Sequence, residues 1–336
     1  MMREIGSEFW DIPLGQEDNG LFPGDTRWYI SGRSALKAVI SDLRGCRSVA
    51  VPSWCCGSMV KPFTDAGMRV AFYPVRRDGG LVQEPALDCD ALFLMDYFGY
   101  ESDVSDYSSF RGVRIRDVSH AVFSSFRQDA DYYFGSLRKW CGIRTGGYAW
   151  TRDGHLLTAG GAPDEAYCRL REEAMARKAR YIAGETDDKG FLEVYGEAEE
   201  MLDGFGILAA DPEDAARAFK LDVGFIQRRR RENAEILYEA VGEWAVFPRE
   251  KMSACPMFVP ILVPEGKRDT LRSELTQRGI YCPVHWPDGG AFPLDEEEKF
   301  LYDNGLSLVC DQRYGPEDME RIADTVREFR EKVWRC

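Results

Sequence analysis

One lysine lies in an unusual setting in the segment "DYYFGSLRKWCGIRTGGYAW", residues 131–150. The aromatic runs on either side of Lys139 predict two short strands, over 131–134 and 148–150. An ammonium group is rarely buried, because removing it from water is costly unless it is paired or neutralised. Lys139 therefore either points outward from a loop tip or is a buried amine that does chemistry as a nucleophile and base.

Two further segments carry groups that suit such chemistry. "SGRSALKAV" predicts the start of a helix with Arg33 and Ser34 at its first positions, where backbone amides and the helix dipole favour an anion. "VRIRDVSHA" predicts a buried strand that ends at Asp117, with His120 three residues later. Ligands of open α/β sheets bind beyond the carboxyl ends of the strands. Each segment also has a purely structural interpretation, as a helix cap or a turn cap.

Taken together, an anion-binding helix start, an acid at a strand end and a lysine among aromatic residues predict pyridoxal phosphate as the cofactor. Its phosphate needs the helix N-terminus, its protonated ring nitrogen needs the carboxylate, and its aldehyde needs the lysine for a Schiff base. A nearby positive charge and partial desolvation would lower the affinity of the lysine for its proton. The sequence contains no motif for a dinucleotide or a nucleoside triphosphate.

The elements that must position these groups alternate between strands and helices. The apolar periodicity predicts a helix over 33–43, and strands are predicted over 47–52, 69–75, 90–99 and 112–117. Short apolar strands separated by helices are typical of a mostly parallel sheet covered by helices. The predicted fold class is therefore α/β.

The pattern changes after about residue 163, where long charged helices are followed by a smaller α/β unit and a terminal helix over 316–333. A helix is also predicted over 212–241 and strands over 256–264 and 280–286. We predict a large cofactor-binding domain and a small C-terminal domain. The predicted bounds are 1–205 for the large domain, with 1–30 as its N-terminal arm, and 206–336 for the small domain.

The composition argues against several classes of function. The chain of 336 residues has a net charge of −14, whereas a nucleic-acid partner demands a basic face. The basic run Arg228–Arg231 is followed by acidic residues in a helical pattern, so we interpret it as a solvated or salt-bridged helix face. The ten cysteines and three histidines lack zinc-ligand spacing, and no stretch approaches the length of a membrane span. We expect a cytoplasmic protein with reduced thiols and without metal, nucleic-acid or membrane partners.

The order of the motifs "SGRSAL … VAVPSW … DYFG … RDVSHA … SLRKW … GG" resembles the fold-type I pyridoxal phosphate enzymes. Within them, the chain resembles the DegT/DnrJ/StrS sugar aminotransferase family. The resemblance implies that Lys139 forms the Schiff base with the cofactor and that Asp117 pairs with the pyridine nitrogen. The other cofactor-binding positions that it implies are Arg33, Ser34 and Ser136 at the phosphate and His120 beside the ring.

The residue that stacks on the ring is left open by this resemblance. Cys56 aligns at the place where the family carries an aromatic residue, and Trp54 lies two residues earlier. Either residue could lie against the ring, and Trp54 is equally well explained as ordinary core. In the small domain, we interpret His285 and Arg313 as structural or exposed polar residues rather than as substrate contacts.

The resemblance implies a homodimeric aminotransferase. Such an enzyme moves an amino group from a donor such as glutamate to a keto acceptor, for example a nucleotide-linked keto-sugar. A second hypothesis keeps the cofactor but changes the reaction on an amino acid to a lyase, decarboxylase or acyl-transfer reaction. A third is a non-catalytic protein with the same fold.

Overall fold

The computed structural model describes residues 4–124, 127–287 and 294–334. The strands within these ranges are β1 (Ile5–Gly6), β2 (Arg27–Tyr29), β3 (Ser48–Pro52), β4 (Arg69–Tyr73), β5 (Val75–Arg77), β6 (Leu81–Gln83), β7 (Ala91–Met95), β8 (Asp103–Val104), β9 (Val113–Asp117), β10 (Tyr132–Ser136), β11 (Gly147–Thr151), β12 (Phe258–Leu262), β13 (Ile280–Tyr281) and β14 (Gly305–Val309). The α-helices are α1 (Gly32–Asp42), α2 (Gly57–Asp65), α3 (Glu165–Ile182), α4 (Phe191–Gly204), α5 (Pro212–Ala218), α6 (Val223–Val241), α7 (Arg268–Gln277), α8 (Glu296–Asn304) and α9 (Pro316–Trp334).

The central element is a seven-stranded sheet with the order β2-β11-β10-β9-β7-β3-β4. The five neighbouring strands from β10 to β4 run parallel, whereas β11 is antiparallel to both of its neighbours. Every residue of β3 and β7 is buried, as is usual for parallel strands with helices on both faces. This arrangement confirms the α/β fold class predicted from the sequence.

The start of α1 lies directly against the end of this sheet. Ser31 caps the helix, because its hydroxyl accepts a hydrogen bond from the backbone amide of Ser34 at 3.2 Å. Gly147 makes the close approach feasible, since a Cβ there would lie 2.0 Å from the carbonyl oxygen of Ser31. A Cβ on Gly32 would lie 3.2 Å from the Cβ of Ser136. The two glycines therefore bring the helix start within reach of the end of β10.

The C-terminal part of the chain builds a second unit around the antiparallel pair of β12 and β14 and the helices α6, α7 and α9. The N-terminal residues join it, because β1 pairs in parallel with β13. Residues 208–209 instead bridge to Gly161 and Tyr29 of the first unit. These contacts favour a division nearer the start of α6 than the predicted boundary at 205, and the division itself stays a prediction.

Several further features bear on the function. None of the helices in the described ranges is long and apolar enough to cross a membrane. The same ranges contain no cluster of three or more His, Cys, Asp or Glu side chains that could hold a metal ion. The nine cysteines described there are all free thiols.

Candidate active site

A cavity of about 490 Å³ lies where β9 and β10 end and α1 begins. Its other walls come from α7, from the residues after β13 and from residues 309–313. Of the eight predicted cofactor-binding residues, the ones that line this cavity are Arg33, Asp117, Ser136 and Lys139. The structure does not place the other four in its lining, namely Ser34, Trp54, Cys56 and His120.

Lys139 ends a short 3₁₀ turn that follows β10 directly. Its side chain is exposed and lines the cavity, so the burial considered from the sequence is wrong. Its amine has no hydrogen bond or ion pair with any residue that the structure describes. Its positive charge lowers the pKa values of both Asp117 and His285, although burial is the larger influence on each. The free amine is therefore available to a ligand in the cavity.

Asp117 is the last residue of β9, and only 2% of it is exposed. Its Oδ1 accepts a hydrogen bond from the backbone amide of Ser119 at 2.8 Å. Burial raises the pKa of this carboxyl to about 6, against the opposing influence of Ser119 and of the Lys139 charge. A cation bound beside Asp117 would restore the carboxylate, which is the partner that a protonated ring nitrogen requires.

An anion cradle lies between α1 and β10. The backbone amides of Gly32 and Arg33 are at the N-terminus of α1 and have no acceptor within the described residues. The hydroxyl of Ser136 also makes no hydrogen bond with any residue that the structure describes. Two amides and one hydroxyl that converge on a cavity are a donor set that suits a phosphate.

The remaining predicted phosphate ligands are already occupied. The hydroxyl of Ser34 donates to the carbonyl oxygen of Gly206 at 2.8 Å, away from the cavity lining. The guanidinium of Arg33 is held by Glu199 and Asp203 of α4, each at 2.8 Å. The structure therefore offers the backbone amide of Arg33, rather than its charge, to an anion.

Trp54 and His120 belong to a buried aromatic cluster beside the cavity. Trp54 stacks on Tyr97 with ring centroids 5.4 Å apart, and His120 stacks on Phe98 at 5.1 Å and on Trp286 at 6.2 Å. The interpretation of Trp54 as core is the one that these contacts support. Both ring nitrogens of His120 lack a partner within the described chain, and burial lowers the pKa of the ring well below its ordinary value. A neutral imidazole without partners is an unsatisfied polar group that a neighbouring ligand would stabilise.

Cys56 has a local role at the start of α2. It is the residue before the helix, and its Sγ accepts a hydrogen bond from the hydroxyl of Ser58 at 3.1 Å. Ser58 and Met59 line the cavity, whereas Cys56 does not. Neither of the two predicted stacking residues, Trp54 and Cys56, therefore belongs to the cavity lining.

Several residues that line the cavity were not identified from the sequence. Arg230 was interpreted as part of a solvated or salt-bridged helix face, but it is 1% exposed, lines the cavity and donates to Gln312 at 2.7 Å. Arg313 lines the cavity too and pairs with Asp311 at 2.8 Å. His285 accompanies them, and burial lowers its pKa to about 3. A basic run or a single histidine carries no signal of burial, because burial here depends on contacts distant in the sequence.

Comparisons with solved structures identify the fold. The protein Spr1654 from Streptococcus pneumoniae, in its PLP form, shares 14% identity with this chain and has a TM-score of 0.61, covering 96% of this chain and 93% of its own. PseC from Helicobacter pylori, an aminotransferase involved in the biosynthesis of pseudoaminic acid, shares 15% identity at a TM-score of 0.61, with 96% and 99% covered. The sugar aminotransferase CalS13 from Micromonospora echinospora shares 16% identity at a TM-score of 0.60, with 90% and 87% covered.

The chain has the fold of the fold-type I aminotransferases. This confirms the fold that the motif order implied. No protein-family model matches the chain, and a search of curated proteins found no match. The identities are low, so the function rests on the geometry of the site.

The side chains present fit pyridoxal phosphate. The cradle of two amides and a hydroxyl suits its phosphate, and the buried Asp117 suits its ring nitrogen. The free amine of Lys139 suits its aldehyde. These three groups line one cavity although they come from different parts of the sequence.

Proposed function

We propose that the chain is a pyridoxal phosphate-dependent aminotransferase. It transfers an amino group from a donor such as glutamate to a keto acceptor, for which a nucleotide-linked keto-sugar is the leading candidate. The observation that carries this proposal is the convergence of the cradle, Asp117 and Lys139 on one cavity. The sugar aminotransferases among the similar structures support the choice of acceptor.

The residues of this chain would hold the cofactor at its two ends. The amides of Gly32 and Arg33 and the hydroxyl of Ser136 would bind its phosphate, and Asp117 would keep the proton on its ring nitrogen. When bound, pyridoxal phosphate supplies an aldehyde that captures amines and a ring that accepts electrons from the neighbouring carbon.

Lys139 would provide the base. In the loaded enzyme, its Nζ would be the group that takes the proton from the substrate carbon bearing the amine and that later gives a proton up. The cavity contains no second amine among its described lining residues, since the other cations there are guanidinium groups that stay protonated. The proton transfer is therefore assigned to Lys139.

A half-reaction tests the proposal directly. Adding glutamate alone to the cofactor-loaded protein should convert the cofactor to its amine form and release about one equivalent of 2-oxoglutarate, without carbon dioxide. Absorbance spectra and keto-acid assays measure both. Continuous product release from one amino acid would instead identify a lyase, a decarboxylase or an acyl transferase. Failure to form any cofactor absorbance band would favour a non-catalytic protein.

The assembly and the compartment stay predictions. We infer a homodimer from the resemblance to the sugar aminotransferases, and light scattering in solution would test it. The cytoplasmic location predicted from the cysteines is likewise an inference from the sequence.

Ser136 and Ser34 form a matched pair for testing the phosphate cradle. We expect Ser136→Ala to weaken cofactor binding by about tenfold, because it removes a hydrogen bond to a charged phosphate. Ser34→Ala should leave the affinity unchanged and lower the free energy of unfolding by about 1 kcal/mol, since its hydroxyl bonds Gly206 instead. Fluorescence titration with the cofactor measures the affinity. An equal loss of affinity in both variants would contradict the cradle.

A further inference from the structure

The lining of the cavity is positively charged, although the whole chain carries a net charge of −14. Among the described lining residues, one lysine and five arginines face two aspartates and two glutamates. A concave site with an excess of positive charge concentrates anions from solution. The cavity is therefore suited to a ligand that carries negative charge beyond a single amino acid carboxylate.

Four of these five arginines already have partners. Arg33 and Arg138 share Glu199, with Arg138 at 2.5 Å from its Oε2. The guanidiniums of the other two are held by Gln312 at 2.7 Å for Arg230 and by Asp311 at 2.8 Å for Arg313. These bonds fix the four arginines in the walls, and the carboxylates of Glu199 and Asp311 also neutralise part of the charge.

Arg272 differs from the other four. It lies in α7, its side chain is exposed, and its guanidinium has no hydrogen bond or ion pair with any residue in the described ranges. Thr276, one turn later, also lines the cavity, so this face of α7 forms part of the wall. The charge of Arg272 also partly offsets the burial that raises the pKa of the Cys282 thiol to about 12. Arg272 is therefore close to Cys282, which follows β13 and also lines the cavity.

The hydroxyl of Thr276, on the same face of α7, is not available to donate a hydrogen bond to a ligand. It donates to the carbonyl oxygen of Arg272 at 2.9 Å, so its proton is already used within the helix. A free guanidinium has five N–H donors in a planar fork that matches a carboxylate or a phosphate. Arg272 is thus the group on this wall that is equipped to bind an oxyanion.

We propose that Arg272 binds an oxyanion of the substrate and so sets which substrate the cavity accepts. The inference rests on the proposed aminotransferase function and deepens it. The oxyanion has two candidate sources, the second carboxylate of a dicarboxylic amino donor and the diphosphate of a nucleotide-linked acceptor. Both sources present paired oxygens to the same fork of donors.

Titration calorimetry on the cofactor-loaded protein distinguishes the sources. The probes are glutarate, for a dicarboxylic donor, and inorganic diphosphate, for a nucleotide-linked acceptor. We expect Arg272→Gln to weaken the binding of one probe by about tenfold or more, the usual range for a charge-assisted hydrogen bond. Arg272→Lys should restore part of the affinity, because it returns the charge without the planar fork. The probe that responds identifies the substrate class.

Lys267 supplies the matched control. It lies beside the start of α7 and pairs with Glu265 at 2.7 Å, and it does not line the cavity. Lys267→Gln removes one positive charge from the same region and should leave the binding of both probes unchanged. An equal loss in Lys267→Gln would assign the effect to general charge, which overturns the inference. Unchanged binding in Arg272→Gln, or no binding of either probe by the wild type, would overturn it as well.

The cofactor absorbance separates this inference from the proposed function. Arg272 is not assigned to the cofactor, so Arg272→Gln should keep the wild-type absorbance band. If that band is present and the probes bind Arg272→Gln normally, the role of Arg272 is refuted and the aminotransferase proposal stands. If the wild type forms no band, the aminotransferase proposal fails, and titration of the cofactor-free protein still decides whether Arg272 binds oxyanions.

Discussion

Replacing Lys139 with alanine is expected to abolish the half-reaction with an amino donor, with a loss of at least about 10³-fold in its rate. Lys139 is the single amine among the described residues that line the cavity, and it forms no ion pair with a described carboxylate. The variant would lose both the nucleophile and the base, and the nearby arginines cannot replace either, because they stay protonated. Single-turnover absorbance measurements check this expectation.

Lys139 should also carry a covalent label after borohydride reduction in the presence of the cofactor. Lys178 is the strongest rival, because burial lowers its pKa to about 8. It is nevertheless fully enclosed, lies over the ring of Trp10 and donates to the carbonyl oxygen of Gly6 at 3.3 Å. Peptide mapping should therefore find the label on Lys139, and a label on Lys178 would refute the assignment. Lys61→Ala, at an exposed lysine paired with Asp65, is the control that should keep both the label and the activity.

The sequence predicted the elements of the sheet well because their signals are local. The helix predicted over 33–43 is observed as α1, and the strands predicted over 47–52 and 112–117 are observed as β3 and β9. Each has an apolar pattern whose period depends only on neighbouring residues. Asp117 and the start of α1 both line the cavity, and both positions are fixed by the ends of such elements, whereas the roles of these residues stay predictions.

The errors have a common physical cause, which is dependence on contacts distant in the sequence. The family resemblance implied that Ser34 holds the phosphate, but its hydroxyl donates to the carbonyl oxygen of Gly206, which the local pattern cannot reveal. The helix predicted over 212–241 is two helices, because the chain between them bridges Leu221 to Leu14 and Asp222 caps a new start. The strand predicted over 280–286 is limited to β13, whose pairing with β1 spans two residues on each side.

The surroundings of the cofactor site were the least predictable part. The position of His120 depends on Phe98 and Trp286, which lie in separate parts of the chain. The helix α4 was not predicted, yet it supplies the carboxylates that hold Arg33 and Arg138. A motif can name the residue types that chemistry needs, but the tertiary contacts decide which atoms of those residues remain free.

Asp117→Asn is expected to lower turnover by at least about tenfold. A carboxylate that holds a protonated ring nitrogen makes a charge-assisted hydrogen bond of about 1.5–3 kcal/mol, and about 1.4 kcal/mol corresponds to a factor of ten. The asparagine keeps an oxygen to accept from the Ser119 amide but has no charge to hold the proton. Steady-state kinetics measures the loss. Asp90→Asn, at an aspartate outside the cavity lining, is the control that should retain the wild-type turnover.

Asp117→Asn should also stabilise the cofactor-free protein, and the size of this effect should depend on pH. The folded protein raises the pKa of Asp117 from 3.8 to about 6, so it binds this proton more tightly than the unfolded chain does. The buried carboxylate is therefore destabilising above pH 6, by up to about 3 kcal/mol for a shift of roughly two pKa units, and the penalty disappears below pH 4. Urea unfolding should find Asp117→Asn more stable than the wild type at pH 8 and equally stable at pH 4.

Asp90 provides a control of opposite sign for this measurement. Hydrogen bonds from the backbone amide of Arg47 and from Ser48 lower its pKa, so its carboxylate stabilises the folded protein at neutral and alkaline pH. Asp90→Asn should accordingly be less stable than the wild type at pH 8. If Asp117 merely capped the turn at Ser119, its replacement would also reduce stability, without a gain at alkaline pH. A variant that is more stable but less active is the behaviour of a residue retained for function at the expense of stability, and that combination is what we expect of Asp117.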